Sequence, residues 1–237
     1  MTILSRQSTP ATINEATVFS NTTGNSVGLQ NGVFNLTYYE SILQDTIHAS
    51  FTYSDTGTVG GSFDGKNAVD GLPIKGSEKF ILSFTDNLDN TLEFKDDSSL
   101  YVNNVTEIVT DSTKSMVTLS MNSLELFNND KVRLNRRFDG KISEHIRKIL
   151  TDEEYLATKK ELHIEDTENN YNKIMNNKKP FYMMNYFSTL AIPSSGNTDA
   201  PKNSAGYLLW ETSKGFHFRS VDWLFNVDTN PRKKSII

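Results

Sequence analysis

The residues that could do chemistry are few and poorly grouped. Residues 24 to 28 read GNSVG, the G-x-S-x-G spacing of a serine-hydrolase elbow, which needs an apolar strand before the serine and a helix after it. Here SNTTGNSVGLQNG reads as loop on both sides, so Ser26 is expected in a plain turn. The four histidines, His48, His145, His163 and His217, include no pair at the i, i+4 spacing that sets two imidazoles on one helix face for zinc. Packed or solvated rings are expected instead. DNLDNTLE has the acid density of a calcium loop but neither its glycine nor its ligand spacing. Cysteine is absent, which excludes disulfides, thiolate metal sites and cysteine nucleophiles. P-loop, dinucleotide and kinase signatures are missing too. The expectation is no enzyme, no cofactor and no metal site.

Charge and aromatics are better grouped. KVRLNRR (131–137) alternates, so Val132 and Leu134 should face inward and Lys131, Arg133 and Arg137 outward, as a solvated strand face or a contact for an acidic partner. PRKK (231–234) reads as a solubilising tail. GFHFRSVDWLF (215–225) reads as a strand feeding a helical turn capped by Ser220. Alternation puts Phe216, Phe218 and Ser220 on one face, packed on a helix over 180–191, and His217 and Arg219 on the other. Arg219 then pairs with Asp222 or meets a neighbour. Arg219 and Trp223 are the favoured interface candidates of this stretch, because Arg and Trp are enriched at hot spots.

The elements that position these residues divide into two styles. Up to about residue 128, short alternating runs separated by Gly, Asn and Asp predict antiparallel strands: VFNLTYY, TIHASFTY, EKFILSF, NTLEFKD, LYVNNVTEI and SMVTLSM. TDNLDN is the turn of a hairpin over 78–96. Strands at this spacing suggest a barrel or sandwich. Between them, residues 57–76 carry six glycines in twenty positions, a long loop of functional type. Beyond 128, helices are predicted near 142–150, with Ser143 or the preceding turn as its start, and over 180–191, with Pro180 in the first turn. ELHIEDT is strand-like, and YLLWE, TSKG and FHFRS form a hairpin over 206–219 in which Gly215 takes the positive-φ position. The fold class is therefore α+β, a β-barrel domain over 1–128 followed by a smaller α+β domain over 129–237.

The chain can bury a sizeable core at 237 residues, and 24 Lys and Arg against 29 Asp and Glu leave a charge of −5 that argues against a general nucleic-acid-binding surface. The opening MTILSRQSTPATINEATVFS lacks the pattern of a signal peptide, and no membrane insertion is expected.

Three stretches in order, RRFDGKISEHIRKIL, NNKKPFYMMNYFSTLA and YLLWETSKGFHFRSVDWLF, resemble the baseplate central hub protein of contractile-tailed, cyanophage-type bacteriophages. The resemblance is strongest over residues 131–225. It implies a tail-tube-like barrel in the first half, a homotrimer, and partners that are the tail tube protein, the central spike protein and other baseplate subunits, with DNA only as passing cargo. It places the chain in the virion baseplate, assembled in the host cytoplasm. The family runs on past FRSVDWLF into a second tube domain, whereas this chain stops at PRKKSII, so either a truncated or divergent member is expected or the second barrel is supplied elsewhere. Arg133, Arg137, Arg219 and Trp223 are the interface candidates, and the 57–76 loop is expected to order against a neighbour. A different reading is a carbohydrate- or cell-surface-binding module using Tyr38, Tyr39, Tyr53 and Tyr101.

Overall fold

A computed structural model describes residues 11–55, 71–86, 89–111, 114–194 and 206–225. The chain divides into two compact units, Met1–Tyr39 with His48–Leu124, and Glu40–Ile47 with Glu125–Ile237. It therefore passes from one unit to the other three times.

The described residues of the first unit form one antiparallel sheet of eight strands: β1 (Thr12–Phe19), β2 (Ser26–Gly28), β3 (Val33–Tyr39), β4 (His48–Asp55), β5 (Lys79–Thr85), β6 (Thr91–Phe94), β7 (Leu100–Asp111) and β8 (Lys114–Ser123). Their order is β2-β1-β5-β7-β8-β4-β3, and β6 pairs with the end of β5. Alternation buries Ala49, Phe51 and Tyr53 of β4 against Val117, Leu119 and Met121 of β8 and Phe80 and Leu82 of β5. Each buried phenylalanine contributes roughly 2–3 kcal/mol. The sheet curls far enough for Tyr38 on its last strand to place its ring 5.1 Å from Phe94 and 6.2 Å from Phe84. Among the described residues no ladder joins β3 to β2 or β6, so the sheet stays open in its hydrogen bonding. A cleft of about 700 Å³ with mixed walls, lined by Ile13, Gln30, Val33, Asn35, Tyr38 and Phe84 among others, lies there.

Two strands run where sequence reasoning gives loop or nothing. β1 escapes because a bulge between Ile13 and Glu15 breaks its alternation. β2 is three residues long and begins at Ser26, correcting the plain turn expected there. A single 3-10 turn follows it, not the helix of a nucleophile elbow. The long-loop expectation over 57–76 falls outside the described residues up to position 70. Its described end is pinned: Ser20 Oγ donates to the Leu72 carbonyl at 2.5 Å, and the buried Glu78 carboxylate accepts the N–H groups of Lys75 and Gly76 at 2.8 and 2.7 Å.

Among its described residues the second unit holds four helices, α1 (Leu124–Lys131, its first residue counted with the sheet), α2 (Ile142–Thr151), α3 (Pro180–Ser188) and α4 (Val221–Phe225). Its strands are β9 (Arg137–Phe138), β10 (Leu162–Ile164), β11 (Lys173–Ile174), β12 (Tyr207–Thr212) and β13 (Gly215–Ser220), forming a β10-β13-β12 sheet and a β11-β9 pair. Ile142, Ile146, Ile149 and Leu150 of α2 pack with Phe181, Met184 and Phe187 of α3 and with Phe216 and Phe218. α2 starts one turn-position earlier than Ser143. Lys141 is its N-cap and donates its N–H to Glu144, while Ser143 and Thr167 exchange hydrogen bonds at 3.0 and 3.2 Å. α3 ends at Ser188, short of 191, after Pro180 sets its first turn. KVRLNRR is not a strand over its length: Lys131 closes α1, Leu134 makes a lone bridge to Lys178, and only Arg137 belongs to a ladder. No described helix is long and apolar enough to cross a membrane.

Candidate interface residues

GFHFRSVDWLF forms β13 of the hairpin and the helical turn α4. Gly215 has φ +118°, and a Cβ there would overlap the carbonyl oxygen of Glu161, so positive φ and close backbone approach both require glycine. Phe216, Phe218 and Ser220 are fully buried, with Phe216 6.4 Å from the ring of Phe181 on α3. Ser220 Oγ accepts the Trp223 N–H at 3.1 Å and so caps α4.

On the other face the side chains stack. The Trp210 ring lies 5.0 Å from His217 with an interplanar angle of 9°, and His217 lies 4.5 Å from His163, all on one rung across the three strands. Burial first, then the neighbouring His163, pushes the His217 imidazole down to about 4. It is a neutral ring at pH 7, bonded to the Thr212 hydroxyl at 2.9 Å. Arg219 sits with its guanidinium 4.5 Å from the Trp223 ring centre. Of the two outcomes expected for Arg219, the local pair with Asp222 is not made: Arg219 Nε and Asp222 Oδ2 are both buried without a hydrogen-bond partner among the described residues. Burial lowers the Arg219 guanidinium against the pull of Glu165.

The other two candidates stand apart from this pair in their bonding. Arg133 Nη1 donates to the Asp130 and Val132 carbonyls at 3.1 and 2.7 Å, capping the C-terminal end of α1. Arg137 Nε reaches both carboxylate oxygens of Asp139 at 2.9 and 2.8 Å in the open. PRKK lies outside the described residues. Of the four tyrosines of the carbohydrate reading, Tyr53 is fully buried and Tyr38 is engaged with Phe84 and Phe94, so they form no common exposed platform.

Sequence reasoning missed a buried charged cluster. Lys160 Nζ bonds Glu125 at 2.7 Å and Glu211 at 2.6 Å, with side-chain exposures of 8%, 4% and 0%. Glu125 also accepts from Thr158 Oγ1 at 2.6 Å, and Glu211 from the Ile47 N–H at 3.0 Å. Burial pushes the Lys160 ammonium down, but the two carboxylates outweigh it and hold it above its ordinary value. Four stretches distant in sequence meet there, and no spacing rule announces them. Three further bonds complete the anchoring of Glu40–Ile47 and the hairpin: Ser213 N–H to Glu40 at 2.6 Å, Asn185 to Asp45 at 2.8 Å, and Ser220 N–H to the buried Glu165 at 2.7 Å. Among the described residues no group of three His, Asp or Glu gathers as a metal centre.

No family model matches the chain, and no curated protein matches it. Solved structures do. The 43 kDa tail protein of prophage MuSo2 from Shewanella oneidensis aligns at 10% identity and TM-score 0.55 over 86% of this chain and 53% of its own. The two share a fold. A tail protein from Neisseria meningitidis MC58 aligns at 10% identity and TM-score 0.48, over 89% of this chain and 51% of its own. The E. coli c3393 protein, a type VI secretion component described as structurally similar to T4 tail proteins gp27 and gp5, aligns at 7% identity and TM-score 0.44, over 88% and 46%. The chain thus spans about half the length of the structures it resembles.

Proposed function

We propose that the chain is a structural component of a phage tail baseplate hub, joining the tail tube to the central spike through protein–protein interfaces. The observation that carries this reading is the fold shared with the prophage tail protein over 86% of the chain. In it, the curled sheet of the first half acts as a tube-like barrel, the stretch from about 129 onward as the α+β domain beside it, and the assembled form is a homotrimer in a contractile tail. Its partners are the tube protein, the spike and other baseplate subunits, and DNA passes as cargo. The mechanism is mechanical: large interfaces, apolar at their centres, keep the subunits together under load without making or breaking bonds.

Arg219 with Trp223 is the strongest interface candidate. A guanidinium stacked on an indole, both half-buried, offers a partner a mixed cation and aromatic anchor. Arg133 and Arg137 contribute charge at the rim. Antibody against the chain, applied to the source's tailed particles under negative-stain microscopy, should label the baseplate end of the tail. Labelling of the capsid alone, or of no particle while the protein is abundant in the lysate, would refute the assignment.

A further inference from the structure

Residues 171–186 build a surface that the tail reading leaves unused. β11 leads through Asn177, at φ +54°, into α3, and strand and helix flank a groove of about 160 Å³. Its walls include Tyr171, Lys173, Ile174, Lys178, Tyr182 and Tyr186, and no Asp or Glu lines it. The helix contributes Tyr182 and Tyr186, one turn apart and 59% and 39% exposed, while Phe181, Met184 and Phe187 face the core. Ile174, at 54% exposed, gives the strand side an apolar seat.

The charges in this groove are of one sign. Lys173 lies 5.8 Å over the Tyr171 ring and Lys178 lies 5.5 Å over the Tyr182 ring. Among the described residues neither ammonium has a carboxylate within 4.0 Å, whereas the adjacent Lys179 is paired with Asp130 at 2.6 Å. The backbone adds direction. Tyr171, Met175 and Asn177 donate to Gly140, Arg136 and Leu134, so alternate positions face β9 and the intervening Ile174 and Asn176 lie on the outer edge. Among the described residues β11 has no second neighbour.

We propose that this groove receives an extended acidic segment of a protein partner. The segment adds to the open edge of β11, seats an apolar side chain between Ile174 and Tyr182, and sets carboxylates on Lys173 and Lys178. Charge complementarity and the open edge select an extended acidic polypeptide over a neutral one. The inference stands independently of the tail assignment.

The test uses the full chain and a dye-labelled octapeptide alternating glutamate and valine, followed by fluorescence anisotropy. Labelled lysine–valine peptide, a single-stranded DNA octamer and a neutral chitin oligosaccharide serve as competitors of other chemistry. The acidic peptide should bind, weaken with salt, and lose about tenfold or more in affinity in the double variant K173E/K178E. Ile174→Asp should weaken it as well, and both variants should melt as the parent does because all three side chains are solvent-exposed. Failure of the acidic peptide to bind, undiminished binding by K173E/K178E, or preferential binding of the DNA or the oligosaccharide would overturn the proposal.

Discussion

The two units solve the problem of cohesion differently. In the first, one continuous ladder satisfies the backbone, and the interior is filled by Phe51, Phe80, Leu82, Leu119 and their neighbours. In the second, short helices and two small sheets surround an apolar core, and distant stretches are tied by buried carboxylates: Glu125 and Glu211 on Lys160, Glu165 on Ser220. The sheet unit gains cohesion from many repeated small terms. The mixed unit concentrates it in a few charged knots, where removing one partner leaves an uncompensated buried charge.

Both tryptophans, Trp210 and Trp223, belong to the second unit, so indole fluorescence reports that unit alone. Lys160→Met should therefore lower stability in urea by about 3–5 kcal/mol at pH 7, read in tryptophan fluorescence. Phe51→Ala costs about 3–5 kcal/mol in far-ultraviolet circular dichroism through a cavity instead of a stranded charge. The two differ in rescue. Double replacement of Glu125 and Glu211 by Gln should restore part of the loss in Lys160→Met, while no charge change rescues Phe51→Ala. A Lys160→Met protein as stable as its parent would remove the contrast between the units.

Gly215→Ala comes next, at about 3 kcal/mol, because it combines positive φ with an overlap on Glu161. An alanine there that leaves the fluorescence transition unmoved would contradict the tight hairpin.

This position also marks how far sequence could see. The alternation of GFHFRS and the turn glycine give the hairpin, its buried face and its cap, because each depends on residues within a few positions of one another. The periodicity of 142–150 and the proline at 180 give the helices for the same reason. β1 was hidden by its bulge and α1 by a polar composition, LELFNNDK, that lacks a strong apolar stripe. The candidate surfaces were less legible. Arg219 and Trp223 were legible as candidates by residue type but not as a stacked pair, and the Lys160 cluster joins residues 47, 125, 158, 160 and 211, a meeting that follows only from the fold. The Tyr–Lys groove depends likewise on a bend between β11 and α3 that the sequence does not mark.

A smaller effect sharpens the comparison through pH. The His217 ring is held neutral down to about pH 4, against an ordinary value of 6.5. Between those values the unfolded chain takes up a proton that the folded chain does not. Stability is therefore full above pH 6.5 and falls as pH drops toward 4, by about 1–2 kcal/mol after allowance for solvent around a half-buried ring. Proton NMR should find the His217 titration well below that of an exposed histidine. His217→Asn should flatten the acid limb of the fluorescence-detected stability curve, and an unchanged limb would refute the assignment. The smallest effect is Arg133→Ala, about 0.5–1 kcal/mol from lost C-terminal capping of α1, and a loss above 2 kcal/mol would show a buried role for that guanidinium.

The central claim is that the chain works by assembling, and native mass across a concentration series tests it most directly. The account predicts a trimer that Arg219→Ala combined with Trp223→Ala weakens toward monomer while the fold is kept. A strict monomer at every concentration, with the fold intact, would contradict it.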